Sequence, residues 1–100
     1  KRRRNVVREL GERQFIGYGA GAGGIATLHT LCLADRCQWL VDDSPRRWGL
    51  HAPASNLVVK DPRSLYCYEI HHDHWAIVCL SWRYAEQIRA KHPNLEIIVP

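Results

Sequence analysis

No run of apolar residues in this sequence approaches the roughly 18 needed to span a bilayer, and no secretory signal is visible, so no membrane partner is expected. None of the four cysteines, Cys32, Cys37, Cys67 and Cys79, forms a C-x-x-C pair. That removes zinc ribbons and thioredoxin-type redox sites. There is no G-x-S-x-G nucleophile elbow and no spaced pair of acids suited to acid–base work, so no catalytic residue is assigned. An initiating methionine is also lacking: the chain opens on Lys1-Arg2-Arg3-Arg4, as a piece of a longer protein or a processed chain would. The positive charge is equally local. Fourteen Lys and Arg against ten Asp and Glu give +4, and the whole excess sits in those first four residues. The body is neutral, which argues against a nucleic-acid surface. Cys32 and Cys79 fall in apolar runs and read as small buried hydrophobes, in keeping with a reducing cytoplasm.

What is present is one domain's worth of chain. One hundred residues with 46% apolar content can bury a five-strand sheet under a few helices, with little left for a deep private cavity. Val6, Val7 and Leu10 share a helical face over residues 2–10, and Gly11 ends that helix as a C-cap. Phe15-Ile16-Gly17-Tyr18-Gly19 is a short strand running into glycines. Ile25, Leu28, Leu31 and Cys32 mark a helix from Ala20 to about Ala34. Gln38–Val41 is a second strand, stopped by Asp42-Asp43-Ser44-Pro45, and residues 44–55 read as a loop. Asn56–Val59 is a third strand. Asp61 at N-cap and Pro62 at N1 open a short helix through Tyr66. Trp75–Leu80 is the most apolar strand and is expected at the centre of the sheet. Ser81 caps a helix to Ala90 or Lys91, and Glu96–Val99 closes the chain. Strand–helix alternation with continuously apolar strands predicts an α/β, Rossmann-like fold: a mostly parallel sheet of about five strands flanked by helices.

The strongest functional feature is the glycine turn Gly17–Gly24. Gly17, Gly19 and Ala22 fit G-x-G-x-x-A; Gly19, Gly21 and Gly24 fit G-x-G-x-x-G. Both sit between a strand and a helix, where missing side chains admit a phosphate to the backbone and to the positive end of the helix dipole. Asp42, 18 residues after Gly24 at a strand end, is placed to bind sugar or ribose hydroxyls. Arg47 offers a two-pronged contact to phosphate, and His51 a donor in the same loop. Trp82 supplies a ring face and Arg83 a cation at the end of the fourth strand. His71, His72 and His74 with Asp73 lie in a short loop and lack a third ligand at metal spacing, so no metal is assigned. The same glycines also serve a turn that only lets helix and strand pack closely.

Three ordered motifs carry a resemblance. Tyr18-Gly19-Ala20, then Asp42-Asp43-Ser44-Pro45-Arg46-Arg47-Trp48-Gly49, then Trp82-Arg83-Tyr84-Ala85-Glu86-Gln87-Ile88 resemble the C-terminal domain of sugar (ketosugar) C-methyltransferases over residues 5–100. The resemblance implies a Rossmann-like domain that helps hold a nucleotide-linked sugar. S-adenosylmethionine would be bound by a preceding domain, so this chain would bind no cofactor and would not itself carry the methyl transfer. Its nucleotide-sugar site would comprise Tyr18, Gly19, Ala20, Gly21, Asp42, Arg47, His51, Trp82 and Arg83. Gly23 stands where the family often has lysine, Arg47 replaces the loop lysine, and Ser44 and Arg83 replace asparagines. Two other readings stay open: an NAD(P)-binding Rossmann fragment of an oxidoreductase, and a structural or homodimerising module with Trp48 at its interface.

Overall fold

The computed structural model describes residues 2–53 and 55–100. Lys1, the first residue of the basic run, and Ala54, within the expected 44–55 loop, lie outside the described residues. The elements are α1 (Arg2–Leu10), β1 (Phe15–Tyr18), α2 (Ala22–Leu31), β2 (Cys37–Val41), β3 (Val59–Lys60), α3 (Tyr68–His72), β4 (Ala76–Cys79), α4 (Ala85–Lys91) and β5 (Ile97–Ile98). All five strands pair in parallel, in the order β3-β2-β1-β4-β5. The fold class is α/β and Rossmann-like, as the alternation predicts.

Each strand residue faces the layer opposite to its neighbour's. Phe15 of β1, with Leu40 and Val78, is covered by Val6 and Leu10 of α1 and by Ile25, Leu28 and Leu31 of α2. Ile16 and Tyr18, with Val41, Ile77 and Cys79, are covered by Leu65, Ile70 of α3 and Ile88 of α4. Gly11 takes a left-handed φ of 62° and its N–H returns to the Val7 carbonyl (3.0 Å), ending α1 as expected.

Several local expectations are corrected. The central strand is β1, not Trp75–Leu80. An apolar run reports burial on both faces, which any interior strand has, and β4 is interior between β1 and β5. The third strand is Val59–Lys60 and not Asn56–Val59. Residues 57–59 bond back to the preceding loop instead: Ala52 N–H to Leu57 O, Val59 N–H to Leu50 O, and an antiparallel bridge between His51 and Val58. His71 and His72 lie in α3, not in a loop. A helix of five residues (Tyr68–His72) with one buried position, Ile70, is too short to show a period. Asp61 does cap, accepting from Arg63 N–H (2.9 Å), but the turn it opens over Pro62–Tyr66 is 3-10. Ser81 makes no side-chain cap, and a 3-10 turn over Trp82–Tyr84 precedes α4. Cys32 is exposed rather than buried. It follows Leu28 at helical spacing, but α2 ends at Leu31 and Cys32 turns left-handed (φ 56°), which swings its side chain to solvent.

Burial pushes the Cys37 thiol up to about 12 and the Cys79 thiol to about 11. An unfolded thiol ionises near its ordinary 9.0, so above that pH the native state binds more protons than the unfolded one. Urea stability should therefore fall progressively from about pH 9 to 11. Cys37→Ala should shallow that fall. A thiol reagent added to native protein should label Cys32 first and reach Cys37 and Cys79 only on unfolding.

Candidate functional site

The chain leaves β1 towards β2 and β3 on one side and returns to β4 and β5 on the other, so the strand order reverses between β1 and β4. In open α/β sheets the crevice at such a reversal, beyond the carboxyl ends of the strands, is where ligands bind. Here it is a cleft of about 850 Å³.

One wall is the glycine turn. Tyr18 O accepts from Leu80 N–H (2.9 Å) and Ser81 N–H (3.2 Å), drawing the ends of β1 and β4 together. Gly19 sits in that gap at φ +120°, and a Cβ there would lie 2.0 Å from Ser81 Oγ. Gly24 packs on the Gly19 carbonyl, 2.4 Å from where its own Cβ would be. The first α-helical bond of α2 runs from Ile25 N–H to Gly21 O (2.9 Å), and Gly21, the N-cap, offers no side chain. The N–H groups before Ile25 therefore have no acceptor within the helix. Gly23 lines the cleft, and a Cβ there meets nothing within 4 Å.

The facing wall is the loop after β2. Asp42 is only 14% exposed. Its Oδ2 accepts from Ala20 N–H (2.8 Å) and its Oδ1 from Ser44 N–H (2.9 Å). Its carbonyl accepts from the Trp48 indole (2.7 Å). Arg47 Nη1 stands 3.5 Å from Asp42 Oδ2, and 2.9 Å from where a Gly21 Cβ would be. One carboxylate thus ties the glycine turn to the loop that holds Arg47 over the start of α2.

The far end of the cleft is built by Leu80, Ser81, Trp82, Arg83 and Tyr84 after β4, by Gln87, Ile88 and Lys91 of α4, and by Asp43. The Arg83 guanidinium lies 5.4 Å from the Trp82 ring centroid. Asp43 accepts from the Tyr18 hydroxyl (2.6 Å) and from Lys91 Nζ (2.8 Å). Partial burial opposes charge on Asp43, yet the bonds from Lys91 and Tyr18 outweigh it and hold the carboxyl below its ordinary value. Burial, then the Asp43 bond and charge, push the Tyr18 phenol well above its ordinary range, so it stays a donor. Because its proton goes to Asp43, its contact with His92 Nε2 (3.2 Å) makes that nitrogen the donor, and His92 Nδ1 in turn meets the Tyr66 hydroxyl.

Of the expected site residues, the structure brings together Tyr18, Gly19, Gly21, Asp42, Arg47, Trp82 and Arg83. Ala20 lies in the same turn with its N–H given to Asp42. His51 does not join them: it is exposed and bridges Val58 beyond the cleft's lining. Sequence reasoning missed Asp43, Tyr84, Gln87, Ile88 and Lys91. The last two are i, i+3 on α4, one turn apart on the same side of the helix. Among the described residues no three His, Cys, Asp or Glu side chains gather as a metal site, and no helix is long and apolar enough to cross a membrane.

Residues 5–97 match the family described as C-methyltransferase C-terminal domain. The chain belongs to that family. Comparison with curated proteins gives no match. The matched span contains all three motifs read from the sequence, and all three meet at the cleft of this C-methyltransferase C-terminal domain.

The glycines at the cleft separate by what surrounds them. Gly24→Ala should destabilise by about 1–3 kcal/mol, because its methyl meets backbone that cannot move aside. Gly23→Ala, in open space on the first turn of α2, should be neutral or stabilise by up to about 1 kcal/mol. Urea denaturation of the two variants checks both signs.

Proposed function

We propose that the cleft binds a nucleotide-linked sugar on behalf of a methyltransferase that uses S-adenosylmethionine. On this reading the chain holds substrate and the methyl donor is bound by a separate domain. The observation that carries it is the Arg47 guanidinium poised over Gly21, at the uncapped start of α2, inside the cleft. Helix N–H groups, the positive end of the dipole and a guanidinium converge there, and together they suit a phosphate. Trp82 and Tyr84 at the far end offer ring faces to a base or sugar. A cleft of about 850 Å³ lies in the range of sites for ligands of this size. Asp42 and His51 have other parts: Asp42 fixes the loops, and His51 is outside the lining. Four free cysteines and a nucleotide-sugar substrate fit the cytoplasm.

Calorimetric titration of the folded chain with UDP- and dTDP-sugars should give saturable heat that weakens as salt is raised. Arg47→Ala should weaken binding about 10- to 100-fold, as expected for a lost charge-assisted bond. No heat with any of these ligands, from a protein that is folded, would overturn the reading. NAD(P) would use the same glycine turn, and enhanced NADH fluorescence on mixing would favour that dinucleotide instead.

A further inference from the structure

Two adjacent carboxylates close the end of β2, and they are not equivalent. Asp42 also lines the cleft but is only 14% exposed, and each of its oxygens accepts one amide, from Ala20 and from Ser44. Its remaining neighbour is Arg47 at 3.5 Å. Asp43 is 45% exposed, lines the cleft, and receives one hydrogen bond on each oxygen, from Tyr18 and from Lys91. A carboxylate has about four acceptor positions; each of the two acids uses two on these bonds, and it is the greater exposure of Asp43 that leaves its remaining positions accessible from the cleft. The buried phenol of Tyr18 fixes one oxygen, and Lys91, itself 55% exposed, keeps donor capacity beside the other. A rigid acceptor pair next to a cationic donor is the chemistry that recognises paired hydroxyls of a sugar ring.

We propose that Asp43, with Lys91 beside it, is the hydroxyl-recognising carboxylate of the cleft, and that Asp42 is a positioning residue that holds the two loops in register. This rests on the nucleotide-sugar reading above and adds to it a ligand feature, a pair of neighbouring ring hydroxyls, and the residue that selects it. The hydroxyls belong either to the ribose or to the hexose of such a ligand, and both present the same chemistry.

Three ligands separate the sources: UDP-glucose, its 2′-deoxyribose analogue, and UDP, which lacks the hexose. In the unmodified chain, one of the two removals should cost about tenfold or more in affinity, and which one it is names the ring. Asp43→Asn should shrink that ratio to about twofold or less, while UDP retains its contact with Arg47 and the start of α2. Asp42→Asn should weaken all three ligands together and keep the ratio. If the unmodified chain binds all three within about twofold, or if Asp43→Asn leaves the ratio intact while Asp42→Asn abolishes it, the assignment to Asp43 is wrong and the phosphate reading stands. If the folded chain binds none of them, both fail. The ratio in the unmodified chain needs no variant to fold, so the proposal is testable even where Asp43→Asn is unstable.

Discussion

The carboxylate of Asp42 is the constraint on which the cleft depends. It accepts from Ala20 in the glycine turn and from Ser44 in the next loop, across 22 and 2 residues of sequence respectively. Bonds to a charged acceptor contribute about 1.5–3 kcal/mol each where they are shielded from water. At 14% exposure this group is largely shielded. The same residue's carbonyl holds the Trp48 indole, and Trp48 packs against the core under α2. The Gly19 N–H reaches the Val41 carbonyl (2.8 Å) at the same strand ends. Together these contacts hold the turn that exposes the α2 amides against the loop that carries Arg47.

The close approach of β1 and β4 has the same consequence on the other side. Tyr18 O takes two amides from residues 80 and 81, and only glycine fits at 19 beneath Ser81. The glycine turn is therefore both a packing device and a wall of the cleft. Gly19 and Gly24 are required by neighbouring atoms, whereas Gly21 and Gly23 leave backbone open to the cleft. The two explanations that a glycine-rich turn invites apply to different glycines of one motif.

Much of this was legible in the sequence. Alternating strands and helices, the Asp61–Pro62 start and the Gly11 stop follow from local rules, and the five-strand parallel sheet followed from them. The glycine turn, Arg47, Trp82 and Arg83 were placed at strand ends, and strand ends in a parallel sheet converge by topology. What did not show was anything set by contacts distant in sequence. His51 looked equivalent to Arg47 because both lie in one polar loop, but residues 49–52 fold back on 57–59 and carry it away. Asp42 reads in sequence only as an acid at a strand end, and its bonds to two amides, one of them 22 residues earlier, leave no local trace. Lys91 looked like an ordinary helix-end cation, and its partner Asp43 lies 48 residues earlier.

Gly23 shows how the charge of this site is arranged. The chain lacks the lysine that similar domains often carry there, and space is not the reason, since a side chain would meet nothing within 4 Å. The cation kept at the cleft is Arg47, in the place of the loop lysine, reaching across from the opposite loop to Gly21. A guanidinium beside a helix N-terminus sets two positive ends against each other, and Asp42 at 3.5 Å is the counter-charge that makes the placement tolerable. A lysine at position 23 would sit on the helix whose dipole opposes it. An arginine delivered from the facing loop is anchored to a separate carboxylate and presents a planar fork rather than a point charge. Asp42 thus steadies Arg47 and clasps the two loops at once, and the more exposed Asp43, one residue later, is the carboxylate we propose for ring hydroxyls.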